Sequence, residues 1–195
     1  QLQDTAWLTR AMLRRGMIFY KGRRLTQVYR ARELAAQNGA FWVEESGLRI
    51  HFRLPGDAKP TTPLEISARE QTFAPREHGL GFIRVSGFAL EHAAGPLPVP
   101  QHGSLSTSRG HHWIVEDCRI AWANGVGLDI GLQSWDSAPA GETGHHIIRR
   151  NTVQHVGICG LAGSRGVTHT LIEENLFEHI GYHNLERMYE CGGIK

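Results

Sequence analysis

The chain has 195 residues, of which 41% are hydrophobic and 21% charged, the make-up of an ordinary folded protein with one or two domains rather than of a disordered chain. Its 21 Lys and Arg against 19 Asp and Glu leave a net charge of +2, and the basic residues are scattered, which argues against nucleic-acid binding. The apolar stretches are too short to span a bilayer, and the N-terminal region lacks the apolar run and small-residue cleavage site of a signal peptide.

The first part of the chain alternates like paired strands. Met17–Tyr20 and Leu25–Val28 flank Lys21–Arg24, while Phe41–Val43 and Leu48–Leu54 flank Glu45–Gly47, and both pairs read as hairpins. In the last of these strands Leu48, Ile50, Phe52 and Leu54 share one face. Ala31–Ala36 has helix-forming residues stopped by Asn38-Gly39, and Leu64–Ser67 supplies one more strand. This predicts a small antiparallel β-rich domain over residues 1–72.

From about residue 80 the chain repeats itself. Phe82–His92, Ile114–Trp122, Ile147–His155 and Leu171–His179 are copies of one unit. Aligned, they stack Leu90, Ile120, Val153 and Phe177 in one column, His92, Trp122, His155 and His179 in a second, and Phe88, Cys118, Asn151 and Asn175 in a third. A short strand follows each copy, placing Leu105, Leu128, Leu161 and Ile194 in an inward column. The shortest repeat separations, 23 residues from Leu105 to Leu128 and 24 from Ile147 to Leu171, fit one coil of a β-helix. Such a coil buries its apolar face only by stacking on its neighbours, roughly 4.8 Å away. Asn151 over Asn175 fits an asparagine ladder that begins at the third coil. The fold class is therefore all-β, with about four parallel β-helix coils over residues 73–195. Because the chain starts at Gln1 and stops at Lys195 within an apolar pattern, it is expected to be a fragment of a longer protein, and to aggregate or lack activity by itself.

Insertions between His92 and Leu105, Leu128 and Ile147, and His179 and Ile194 all adjoin the leucine-column strand, and loops clustered on one face of a repeat protein mark its binding face. Strand alternation turns Ser104, Gly127, Gly160 and Gly193, and Ser106, Asp129, Ala162 and Lys195, toward solvent there. Asp129 is the only acid on that floor. Asp136, Glu186 and Glu190 in the insertions are the candidate companion carboxylates. Asp129 also reads as a solvated strand aspartate, and Glu190 as the partner of Arg187 or Lys195. Trp135, Tyr182 and Tyr189 are placed either to stack on sugar rings or to cap loop cores. The His111-His112 and His145-His146 pairs occupy equivalent turns, so that register explains the histidines without a metal. Cys118, Cys159 and Cys191 are too widely spaced for a disulfide scaffold and are expected as free thiols.

Ile-Ile-Arg-Arg-Asn-Thr-Val-Gln-His-Val-Gly-Ile-Cys-Gly-Leu at 147–161, repeated as Leu-Ile-Glu-Glu-Asn-Leu-Phe-Glu-His-Ile-Gly at 171–181, resembles the right-handed parallel β-helix superfamily of pectate lyases and several glycoside hydrolase families. The unit preceding it resembles the small β domain of bacterial xylosidase-like and fucosidase-like members. The resemblance implies right-handed coils and a secreted or periplasmic carbohydrate-active enzyme, a monomer at full length, acting on a plant or microbial polysaccharide and binding neither nucleic acid nor membrane. For a glycoside hydrolase it implies a pair of carboxylates, taken as Asp129 with Glu190 or Glu186, and substrate contacts from Ser106, Trp135, Asp136, His183, Arg187, Tyr189 and Lys195. No cofactor is expected. A polysaccharide lyase, with calcium as its possible cation, and a non-catalytic glycan-binding β-helix are the alternatives.

Overall fold

The computed structural model describes residues 14, 16–95, 102–131, 143–163, 165–182 and 191–195. In the N-terminal part, β1 (Ile18–Tyr20) pairs antiparallel with β2 (Arg23–Arg24) and with β6 (Glu65–Ile66), while β3 (Thr26–Gln27), β4 (Ala40–Val43) and β5 (Ile50–Arg53) form a second sheet beside the helix α1 (Ala31–Ala36). The first hairpin differs from expectation. Lys21 and Gly22 both take left-handed backbone, with φ of 52° and 71°, as a two-residue type I′ turn requires, so the return strand is Arg23–Arg24. Thr26–Gln27 instead runs parallel to β4. The second hairpin is as predicted, with Phe41 opposite Phe52 and Trp42 opposite His51. Of the apolar face on its second strand only Leu54 is buried, because β5 is a sheet edge, and Leu48 stands 88% exposed.

The rest of the described chain is a parallel β-helix of four coils. Its three sheets are β7 (Arg84–Ser86), β10 (Ile114–Glu116), β13 (Ile147–Arg149) and β16 (Leu171–Glu173); β8 (Ala89–Ala93), β11 (Arg119–Ala123), β14 (Thr152–Val156) and β17 (Leu176–Ile180); and β9 (Gly103–Ser106), β12 (Val126–Asp129), β15 (Cys159–Ala162) and β18 (Gly192–Ile194). The pairing reproduces the predicted columns, Leu90–Ile120–Val153–Phe177 and Leu105–Leu128–Leu161–Ile194, and adds Val85–Val115–Ile148–Ile172. These side chains form one core except Ile194 of the fourth coil, which pairs in register but stands exposed rather than inward. The asparagine ladder also holds. Asn151 Oδ1 accepts from the Cys118 amide at 3.0 Å, its Nδ2 donates to the Val115 carbonyl at 2.9 Å and to Asn175 Oδ1 at 3.0 Å, and Asn175 Nδ2 donates to the Ile148 carbonyl at 2.8 Å.

The histidine turns share a corner but are offset by one residue from the predicted equivalence. His112 stacks on His145 at 4.7 Å, His145 on His169 at 4.9 Å, and Phe82 on His112 at 4.8 Å, whereas His111 pairs with Gly81 and Gly144. All three cysteines are free, with Cys118 and Cys159 buried.

The N-terminal sheets dock on the second column of rings. Phe19 stacks on His92 at 4.0 Å and meets Trp122 edge-on, Trp122 stacks on His155 at 4.1 Å, and His155 on His179 at 4.6 Å. The Arg24 guanidinium lies over the rings of Tyr182 and Trp122, and the Tyr182 hydroxyl donates to Met17 Sδ at 3.2 Å. Burial pushes that hydroxyl's pKa up to about 12. Of the two readings of Tyr182, packing is therefore the one realised.

The glycines of the leucine-column strands are not a shallow floor. A Cβ at Gly127 would lie 2.7 Å from both the Gly160 carbonyl and Val153 Cγ1, and one at Gly160 would lie 2.6 Å from the Gly193 carbonyl and Phe177 Cδ1. Glycine recurs there because the strand presses on the interior. Gly160→Ala is accordingly expected to destabilise the protein by about 1–3 kcal/mol through overpacking, read from urea unfolding. A neutral substitution would contradict that packing.

Candidate functional site

The segment Gln71–Phe73 runs along the free edge of β9 as an extra strand. The Thr72 and Phe73 amides donate to the Ser104 carbonyl at 2.8 and 3.0 Å, and the Ser106 amide donates back to the Phe73 carbonyl at 3.0 Å. This brings the following loop over the C-terminal ends of β9 and β12. A cleft of about 130 Å³ lies there, lined by Gln71, Pro75 and His78 of that segment and loop, by Ser106, Ser108, Arg109 and Asp129 from the strand ends, and by His102 and Gly131.

Asp129 is 4% exposed, not solvated as strand alternation suggested, and Ser104, Ser106 and Ala162 are buried with it. Its carboxylate turns back onto the neighbouring coil. Oδ2 accepts from the Gly103 amide at 2.6 Å and Oδ1 from the Ser106 hydroxyl at 2.8 Å. The Ser106 oxygen in turn accepts from the Ser108 amide at 2.9 Å, and Ser108 Oγ lies 2.6 Å from His78 Nδ1. Asp129 thus anchors a chain of hydrogen bonds that ends on an imidazole at the cleft. It is the single acid among the described residues of the lining. One carboxylate, one guanidinium, two imidazoles and two hydroxyls can bind a polyhydroxylated ligand and exchange protons with it.

The structure brings Ser106 and Asp129 together as expected. Lys195 follows β18, where its amide donates to the Leu161 carbonyl at 2.9 Å, and it does not line this cleft. Trp135, Asp136, His183, Glu186, Arg187, Tyr189 and Glu190 lie outside the described residues. His78, His102, Ser108 and Arg109 were missed. His78 sits in a loop with no repeat signal; Ser108 and Arg109 belong to a Ser-Thr-Ser-Arg-Gly turn directly after the leucine-column strand, a signal that was available. Among the described residues no group of three or more His, Cys, Asp or Glu is placed to hold a metal ion.

No protein-family model matches the chain, and no curated protein matches it. A solved complex of XylC with xylose aligns with 92% of this chain at a TM-score of 0.75 and 22% identity. The chain is similar to XylC in fold. It spans 37% of XylC's length, and at this identity the likeness concerns architecture: small β sheets followed by stacked parallel coils.

Proposed function

We propose that this chain is part of a glycoside hydrolase of the right-handed, pectate-lyase-like β-helix superfamily, secreted or periplasmic, with an accessory domain over residues 1–72 and the catalytic solenoid from residue 73. The observation that carries the reading is the cleft at the strand ends, in which a buried carboxylate, Asp129, is set beside hydroxyl and imidazole groups. The xylose bound by XylC supports a sugar as the ligand class. Hydrolysis of a glycosidic bond needs one protonated carboxyl group to assist the leaving oxygen and one ionised group as nucleophile or base. Asp129, accepting from two donors, serves as the ionised member; Glu190 or Glu186 supplies the proton. No cofactor takes part, and the full-length protein acts as a monomer.

Arg109 on the cleft favours a second reading, a polysaccharide lyase in which a cationic side chain meets a uronate carboxylate. Incubation of the full-length protein with xylan and with polygalacturonate separates the two. Reducing ends formed without ultraviolet absorbance from unsaturated uronate support hydrolysis; appearance of that absorbance would overturn it. Asp129→Asn and Glu190→Gln are expected to lower turnover by about 100-fold or more. Variants that change affinity alone would instead mark a non-catalytic glycan-binding solenoid.

A further inference from the structure

Left-handed backbone is unfavourable for any residue carrying a Cβ, and it persists only where the surrounding structure imposes it. In the described solenoid such residues recur in register. Phe82, His112, His145 and His169 form one column, Asp117, Arg150 and Glu174 a second above Gly87, and His92, Trp122, His155 and His179 a third. These are the bends that every coil repeats. Two non-glycine residues of the described solenoid stand outside the columns: Ser108, with φ of 49°, and Arg109, with φ of 62°. They are consecutive, and both line the cleft.

This distortion falls outside the three columns of bends. It is held by local bonds: Ser108 N–H to Ser106 Oγ, Ser106 Oγ to Asp129, the Gly79 amide to the Ser108 carbonyl at 3.0 Å, and the Gly110 amide to the Thr107 carbonyl at 2.9 Å. The result aims Ser108 Oγ at His78 Nδ1. We infer that the Ser106–Arg109 turn is the specificity-determining element of the cleft, and that Ser108 and His78 together read a hydroxyl group of a neutral sugar. The Ser108 hydroxyl and the His78 ring together offer donor and acceptor positions, as a sugar hydroxyl does, so the ligand can insert into their bond with the groups still paired. Beside its proposed catalytic role, Asp129 also holds this turn in place through Ser106. The inference rests on the carbohydrate reading and adds to it the residues and the ligand class.

The test uses the full-length protein, with binding of D-xylose and of D-galacturonate measured by calorimetry. Ser108→Ala and His78→Ala are each expected to weaken xylose binding by roughly 3- to 10-fold, the loss of a neutral hydrogen bond. Wild-type-like xylose affinity in both variants would overturn the inference while leaving the carbohydrate reading standing. Failure of the wild type to bind either sugar would overturn both, and binding of galacturonate alone would refute the neutral ligand class. Melting provides an independent readout of the strained turn. Ser108→Gly should melt about 2–4 °C above Ser108→Ala, reversing the usual order of these residues. A glycine variant melting lower would show that the turn stores no strain.

Discussion

Asn151→Ala is expected to lower the unfolding free energy by about 3–5 kcal/mol and the melting temperature by roughly 10 °C. The side chain is buried and satisfies groups on both neighbouring coils: the Cys118 amide and Val115 carbonyl on one side and Asn175 on the other. Truncation leaves the Cys118 amide without its partner where water has little access, and an orphaned buried polar group costs more than a made hydrogen bond contributes. Asn175→Ala, at a partly buried position of the ladder, is expected to cost less. Equilibrium urea unfolding of both variants checks the pair, and a change below 1 kcal/mol for Asn151→Ala would mean that the ladder does not bear on stability.

Acidification is expected to produce the other large effect, through His146. Burial lowers the pKa of this imidazole from 6.5 to about 4, with the Ile130 backbone opposing and His111, His112 and His145 adding repulsion. The Trp113 amide donates to its Nδ1 at 3.2 Å, which fixes the neutral ring. The unfolded chain therefore binds the proton first on acidification. The stabilising contribution is complete above pH 6.5 and is lost as the pH falls toward 4, by up to about 3 kcal/mol. His155, whose pKa is lowered first by burial and then by stacked His179, acts in the same direction. Urea midpoints measured between pH 7 and pH 4.5 should fall steeply for the wild type and less so for His146→Gln. Parallel curves for the two proteins would exclude His146 as the source.

The coil register was legible because each copy repeats the same small set of constraints. A core position must be apolar in every coil, and a turn that needs an amide needs it again one coil later, so Leu90, Ile120 and Val153, or Asn151 and Asn175, announce themselves on alignment. What has no counterpart in the next coil was hidden. Asp129 was misread as solvated because its cover comes from the Gln71–Phe73 segment and the loop after it, and its carboxylate is taken up by Gly103 and Ser106 of the neighbouring coil, none of which strand alternation encodes. Glu116 reads as an ordinary strand glutamate, yet it is fully buried beneath Arg84, Arg149 and Arg150. The Arg149 hydrogen bond, with Arg84 and against burial, holds its carboxyl below the usual range. Those partners come from the coils on either side, which local patterning does not encode. His78 reaches the cleft only because Gln71–Phe73 extends the β9 sheet, a pairing with too few residues to show periodicity.

The docking of the N-terminal sheets carries a consequence for how the protein comes apart. In a linear stack each coil touches only its neighbours, so end coils fray independently and unfolding spreads inward one unit at a time. Here Phe19 grips His92 in the first coil, while Met17 and Arg24 grip Tyr182 at the end of the fourth. Residues within one short hairpin thus span the length of the described stack and close a one-dimensional array into a loop of contacts. Disruption of the fourth coil then loosens the hairpin that secures the first, so the first and fourth coils are coupled across the stack rather than melting independently.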